Sequence, residues 1–178
     1  MAARFDYCDL KTLQERSFFF DANILIYLFW PSASRWEADY SKIYGRLLKQ
    51  KNILFVDFLV ISEVINRAHR IEYDKCLKTK VLTKNDLSYK TYRDSPDGQQ
   101  AMSDIYLIIE SNVISHFHIV GKKFSKNDII SYLSVNNLDF TDKAIVDICK
   151  ENDLVLLTND RDFKNVDLDI LTSNPAIK

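Results

Sequence analysis

Asp21, Glu63, Asp142 and Asp160 are four acidic residues, each placed after an apolar segment or at the opening of a helix. Asp21 closes the run Ser17-Phe18-Phe19-Phe20, and Asp160 closes Leu154-Val155-Leu156-Leu157-Thr158-Asn159. Glu63 opens a helix shortly after Ile53-Leu54-Phe55-Val56, and Asp142 begins the helical stretch Lys143-Ala144-Ile145-Val146. If the apolar runs are strands of one parallel sheet, residues at their carboxyl ends meet along one edge, where sites of such sheets form. Carboxylates gathered there repel one another, and a hard divalent cation with oxygen ligands relieves that repulsion. The pattern therefore predicts a metal centre. Taken singly, each acid has a plain structural alternative. Glu63 stands four residues before Arg67 and can pair with it on a helix surface. Asp142, with Thr141 as a candidate cap beside it, suits the positive end of a helix dipole, and Asp21 and Asp160 suit turns.

The elements that must position these acids are legible in outline. Phe18–Phe20 reads as a strand covered on both faces. Ile24, Leu25, Tyr27 and Leu28 recur at helical spacing until Pro31, and Ser34 is placed to cap a second helix with the stripe Trp36, Tyr40, Ile43, Tyr44, Leu47 and Leu48. A strand at Ile53–Val56 leads into a long helix from about Asp57, with Val60, Val64, Ile65 and Ala68 toward the core. Residues 1–16 read as a polar lead-in with a helical turn at Leu10–Leu13. From about 71 to 115 the pattern is more polar and reads as a helical extension. Ser125 caps a helix carrying Ile129, Ile130 and Leu133; a helix at 142–151, a strand at 154–158 and a last strand at Leu168–Leu171 close the chain. Strand and helix in alternation predict an α/β fold: a single domain over 1–178, its central mostly parallel sheet covered by helices on both faces, with a helical insertion.

Composition narrows the chemistry. Three glycines, Gly45, Gly98 and Gly121, are too few and too scattered for a P-loop or a dinucleotide fingerprint. Cys8, Cys76 and Cys149 form no zinc or disulfide spacing, and Cys149 lies on an apolar helix face. The net charge of −1 supplies no general attraction to nucleic acid, so any such contact must be local. No apolar run reaches the length of a membrane span, and the N-terminus lacks a secretory apolar core, so the expected compartment is the cytoplasm. From Arg67 to Arg93, eight basic residues face three acids, Glu72, Asp74 and Asp86. With Tyr73, Tyr89 and Tyr92 interspersed, Arg67, Arg70, Lys75 and Lys78 are candidates for an RNA contact. Lys122, Lys123 and Lys126 form a weaker basic cluster. Asp147 is rotated about 140° from Asp142 on a helix and reads as a solvated position. His116 and His118 would share a strand face, but no third ligand stands near them.

The segments Phe20-Asp21-Ala22-Asn23-Ile24-Leu25, Ser62-Glu63-Val64, Phe140-Thr141-Asp142-Lys143-Ala144-Ile145 and Leu157-Thr158-Asn159-Asp160-Arg161-Asp162-Phe163 together resemble the signature segments of PIN-domain nucleases, a family that includes VapC-type toxins. The resemblance spans about residues 17–172. It implies a ribonuclease dependent on Mg²⁺ or Mn²⁺, with Asp21, Glu63, Asp142 and Asp160 as the acidic quartet. It places Asp162 as an auxiliary ligand or a replacement for Asp160, and Asn23 and Thr158 as polar residues that steady the site. RNA, an antitoxin protein and a second copy of the chain are the partners it implies, and an exposed part of the Tyr27–Tyr44 aromatic stripe is a candidate surface for the proteins. The chain departs from the family in its long polar region 71–115 and in carrying Asp147. Two other readings stand beside this one: a catalytically silent RNA- or protein-binding module, and a phosphatase using Asp21 as nucleophile. The latter usually has a second acid two residues on, where this chain has Asn23.

Overall fold

The computed structural model describes residues 2–31 and 33–178. Its sheet is built from β1 (Arg4–Phe5), β2 (Ser17–Phe20), β3 (Leu54–Val56), β4 (His118–Ile119), β5 (Leu154–Leu157) and β6 (Ile170–Leu171). Their spatial order is β1-β6-β5-β2-β3-β4, and every neighbouring pair is parallel. The helices are α1 (Ala22–Phe29), α2 (Glu37–Gln50), α3 (Phe58–Thr79), α4 (Tyr89–Arg93), α5 (Pro96–Ile108), α6 (Lys126–Tyr132) and α7 (Phe140–Glu151). Short 3₁₀ segments cover Tyr7–Leu13 and Arg161–Asn165, and a π-helical turn, Ile109–Ile114, continues α5.

Successive side chains of a strand point to opposite faces. Phe18, Phe19 and Phe20 are nevertheless all fully buried, as are Val155, Leu156 and Leu157. Both faces of the central strands are therefore covered, which is why these segments are apolar without alternation. β2 and β5 lie side by side, with Phe20 paired to Leu157. From β2 the chain winds through β3 to β4 on one side; β5 and β6 lie on the other. The carboxyl ends of β2 and β5 thus mark the point where the winding reverses, the position at which open parallel sheets form a crevice.

Several local expectations change. The lead-in contains strand β1, which pairs with β6, and a 3₁₀ helix that buries Leu10 and Leu13. Helix α2 begins at Glu37, one turn after Ser34, whose hydroxyl accepts from the Trp36 N–H at 3.4 Å rather than capping the helix. Helix α7 begins two residues earlier than its periodicity suggested: Asp139 caps it and Asp142 is its third residue, so Thr141 is not the cap. Glu63 lies in the second turn of α3, whose cap is the buried Asp57. Only His118 of the histidine pair lies in a strand, where its ring meets Phe55 at 5.5 Å. Lys122 is nearly buried among Asp128, Asp147 and Glu151. It is a structural cation rather than an open nucleic-acid contact, and Asp147 is correspondingly its partner rather than a free solvated acid. Asp147 also accepts from the Tyr132 hydroxyl at 2.5 Å.

The extension proves helical and has its own small core. Tyr73 and Leu77 of α3 pack with Tyr92 of α4. Buried His69 joins them to α5: one ring nitrogen meets the Tyr89 hydroxyl at 2.9 Å and the other the Gly98 carbonyl at 3.1 Å. Gly98 is required there, because a Cβ would fall 2.0 Å from the Tyr92 carbonyl oxygen. With Tyr73 and Tyr92 buried, neither can stack on a base.

Helix α3 is followed, after its cap Lys80, by Val81, which adopts a left-handed φ of 54° and is 91% exposed. The Leu82 N–H donates back to the Leu77 carbonyl at 2.8 Å, so the turn closes as helix C-termini do around glycine. A β-branched residue is strained in this region, at a cost of about 1–2 kcal/mol. Val81→Gly is expected to raise stability by about 1 kcal/mol, the relief being partly offset by the greater freedom of glycine in the unfolded chain. Urea denaturation checks this; a lower midpoint at unchanged slope would contradict it.

Candidate active site

Asp21 leaves β2 and caps α1, so its backbone is fixed on both sides by regular structure. Its Oδ1 accepts from the Ala22 N–H at 2.6 Å, and its Oδ2 accepts from Asn23 Nδ2 at 2.5 Å and Thr158 Oγ1 at 2.6 Å. Thr158, the first residue after β5, is wholly buried and also accepts from the Asp160 N–H at 3.0 Å. The Asn159 N–H in turn donates to Asn23 Oδ1 at 3.2 Å. The ends of the two central strands are thereby laced together through one carboxylate. Tyr40 supports the lace from below: its hydroxyl donates to the Thr158 carbonyl at 3.1 Å, and its ring stacks on Tyr27.

The other acids arrive from separate elements. Asp160 caps the 3₁₀ turn that follows β5, accepting from the Asp162 N–H at 3.0 Å. Asp142 sits in the first turn of α7 in a reciprocal box with Asp139. Glu63 projects from α3 and accepts from Arg67 Nη1 at 3.1 Å. All of them border one cleft of about 310 Å³, lined by Asp21, Asn23, Glu63, Arg67, Asn136, Asn137, Leu138, Asp139, Asp142, Asp160 and Asp162. The four acids expected to converge do so, together with Asp162. Arg70 lies beside this cleft, whereas Lys75 pairs with Glu72 at 2.8 Å and Lys78 borders the tip of the extension.

Sequence reasoning passed over Asp139, Asn136 and Asn137. Asp139-x-x-Asp142 is a capping-box spacing and could have flagged the first of these. The two asparagines lie in the loop before α7, whose start buried Lys143 ties down: its ammonium donates to the carbonyl of Tyr132, the last residue of α6, at 2.9 Å and to that of Ser134. A cation at the C-terminal end of α6 is favourably placed against the helix dipole.

Six carboxylates and one guanidinium line the cleft, so its charge is strongly unbalanced. Burial, helped by the charge of Glu63 and opposed by the Thr158 hydrogen bond, pushes the Asp21 carboxyl up to about 6. Burial, then the charge of Asp139, pushes Asp142 up to about 7. Among the described residues, no three His, Cys, Asp or Glu side chains stand ready to hold an ion as they are. The carboxylates of Asp21, Glu63, Asp139, Asp142 and Asp160 each accept a local hydrogen bond. The donor set nevertheless fits a hard divalent cation: it is all oxygen, negatively charged, and short of counter-charge.

A PIN domain family model matches residues 18–168, a stretch that contains every acid of the cleft. No curated protein matches the chain.

A carboxyl whose pKa is higher folded than unfolded binds more protons in the native state, so its contribution is full below the unfolded value and is lost as pH rises. For Asp21 and Asp142 that window runs from the ordinary 3.8 to about 6 and 7. Without divalent ions, the melting temperature is therefore expected to fall between about pH 4 and 7. Asp142→Asn should reduce this slope and raise the melting temperature at pH 7.5 by about 2–4 °C, the shift that roughly 1 kcal/mol gives a chain of this size. Calorimetry in EDTA checks both, and a large drop for Asp142→Asn would show that the carboxylate is chiefly a structural cap.

Proposed function

Because the chain belongs to the PIN-domain family, we propose that it is an endoribonuclease dependent on Mg²⁺ or Mn²⁺. Members of that family are in general metal-dependent nucleases, and the observation that carries the reading here is the single cleft bordered by Asp21, Glu63, Asp142, Asp160 and Asp162. These residues would hold the ion, Asp21, Glu63, Asp142 and Asp160 as the principal set and Asp162 as an auxiliary. When bound, the ion supplies charge stabilisation at the phosphoryl group and acidifies water for attack.

The remaining work falls to the chain. Thr158 and Asn23 hold the Asp21 carboxylate at one orientation through Oδ2, while Oδ1 accepts only one bond from the described residues, that from the Ala22 N–H. Such fixed polar partners lower the reorganisation needed at the reacting centre. The substrate is RNA, and water attacks phosphorus in line, leaving a 5′-phosphate and a 3′-hydroxyl. The six carboxylates of the cleft repel phosphate, and the guanidinium groups of Arg67 and Arg70 beside it give the substrate a favourable side of approach. Among the described residues no helix is long and apolar enough to cross a membrane.

The phosphatase reading is weakened by the bonds at Asp21: both oxygens accept hydrogen bonds and the residue is only 7% exposed, a poor state for a nucleophile. A silent binding module draws support from the local hydrogen bonds to Asp21, Glu63, Asp142 and Asp160, and it predicts RNA binding without cleavage. Toxin activity, with an antitoxin partner and a homodimer, rests on the family likeness alone.

The test is cleavage of single-stranded RNA in Mg²⁺, Mn²⁺ or EDTA. Activity is expected with either ion and none in EDTA, with Asp21→Asn reduced by on the order of 10³-fold, as loss of electrostatic support at a reacting phosphoryl group implies. Equal cleavage in EDTA, or by Asp21→Asn, would reject the mechanism; binding without cleavage in any ion would favour the silent module.

A further inference from the structure

Glu63 and Arg67 border two depressions at once. One is the acid cleft; the other is a groove of about 330 Å³ that also involves Leu59, Ser62, Asn66, Arg70 and Thr141. The pair therefore stands on the wall between a strongly negative hollow and one whose charged lining is chiefly guanidinium. Its contact is a single 3.1 Å bond between side chains that are each 43% exposed, one helical turn apart on α3. Exposed pairs of this kind are weak and easily exchanged.

Arg70, three residues on, lies on the same side of the helix. Among the described residues it has no carboxylate partner; its guanidinium rests 4.6 Å from the centre of the Tyr89 ring. Tyr89 is itself fixed by buried His69, which is anchored on Gly98 of α5. The helical extension thus holds a charged fork in place at the groove without neutralising it. Guanidinium forks match phosphate oxygens, and the groove's Ser62, Asn66 and Thr141 supply hydroxyl and amide groups suited to a ribose.

We infer that the groove is a binding subsite for the phosphate and ribose of single-stranded RNA, and that exchange of the Glu63–Arg67 pair couples this subsite to the ion in the acid cleft. The inference rests on the ion reading given above. Glu63 cannot give the same oxygen to Arg67 and to an ion, and Arg67 cannot give the same donors to Glu63 and to a phosphate. An ion that takes Glu63 releases Arg67 toward RNA, and RNA that takes Arg67 releases Glu63 toward the ion. Thermodynamic linkage makes the two effects equal: the factor by which RNA raises ion affinity is the factor by which the ion raises RNA affinity.

The test measures binding, not turnover. Mn²⁺ affinity of the full chain is titrated by calorimetry or electron paramagnetic resonance with and without a short single-stranded phosphorothioate RNA, verified intact afterwards. RNA affinity is measured by fluorescence anisotropy with and without Mn²⁺. Wild type is expected to show the same coupling factor in both directions, on the order of tenfold. Arg67→Met should bind Mn²⁺ more tightly than wild type when RNA is absent, bind RNA more weakly, and lose the coupling. Arg67→Lys, which keeps the charge but not the fork, should retain part of it. Arg70→Met should weaken RNA binding while leaving Mn²⁺ affinity without RNA unchanged. Full coupling in Arg67→Met, or weaker Mn²⁺ binding by that variant, would overturn the exchange. Wild-type Mn²⁺ binding that ignores RNA would overturn it too, while leaving the ion reading intact. No Mn²⁺ binding by wild type would remove both.

Discussion

Carboxylates forced together away from water cannot all keep their charge unless something positive joins them, and this chain brings its acids together at the reversal point of its sheet. Asp21 is held at the end of β2 by three hydrogen bonds, and Asp142 is delivered by α7 to the same cleft. Both retain protons into the range of about 6 to 7, chiefly through burial. The fold therefore carries a repulsion that its other interactions must outweigh. The aromatic and aliphatic burial of β2 and β5, continuous on both faces, is the natural source of that excess. A cation entering the cleft would remove the penalty, which makes ion binding and fold stability two aspects of one electrostatic arrangement.

The long region after Ala68 takes its meaning from the same arrangement. Two of its tyrosines, Tyr73 and Tyr92, present no face to a ligand; with Leu77 they form a separate small core around buried His69. What that core leaves outside is Arg70 against Tyr89, next to the Glu63–Arg67 pair. A segment whose excess of basic residues suggests a broad electrostatic surface has half of its eight cations paired with carboxylates, Arg67 with Glu63 among them. Lys75 meets Glu72, Lys80 meets Asp97, and Arg93 meets Asp94. The cations that remain near the cleft are few and specifically placed.

How much of this could be read from the residues follows from how local each signal is. β2 and β5 were legible because strands buried on both faces are apolar at every position, and the acids after them followed directly. α7 was legible as a helix, but its start was not: Asp139 and Asp142 both suit a first turn, and only the box between them fixes the cap. Strands β1 and β4, two residues each, are too short to show a period and exist through pairing with β6 and β3. Lys122 looked like part of a basic cluster because its partners Asp128, Asp147 and Glu151 are brought to it only by the packing of α6 and α7. The acidic quartet was legible as a set; the asparagines beside it lie in a loop whose start is tied to Lys143 by hydrogen bonds that leave no trace in the sequence pattern.

Burial first, and neighbouring carboxylates second, raise the proton affinity of Asp21 and Asp142, and an ion bound among them must displace those protons; proton release on ion binding measures this most directly. Calorimetric titration of Mn²⁺ at pH 6, repeated in buffers of different ionisation enthalpy, counts the protons displaced. With the two carboxyls near 6 and 7, about one proton should leave per ion bound, and the release should vanish above about pH 8. Binding of Mn²⁺ with no proton displaced at pH 6 would contradict the account, because the ion would then sit somewhere other than among these acids.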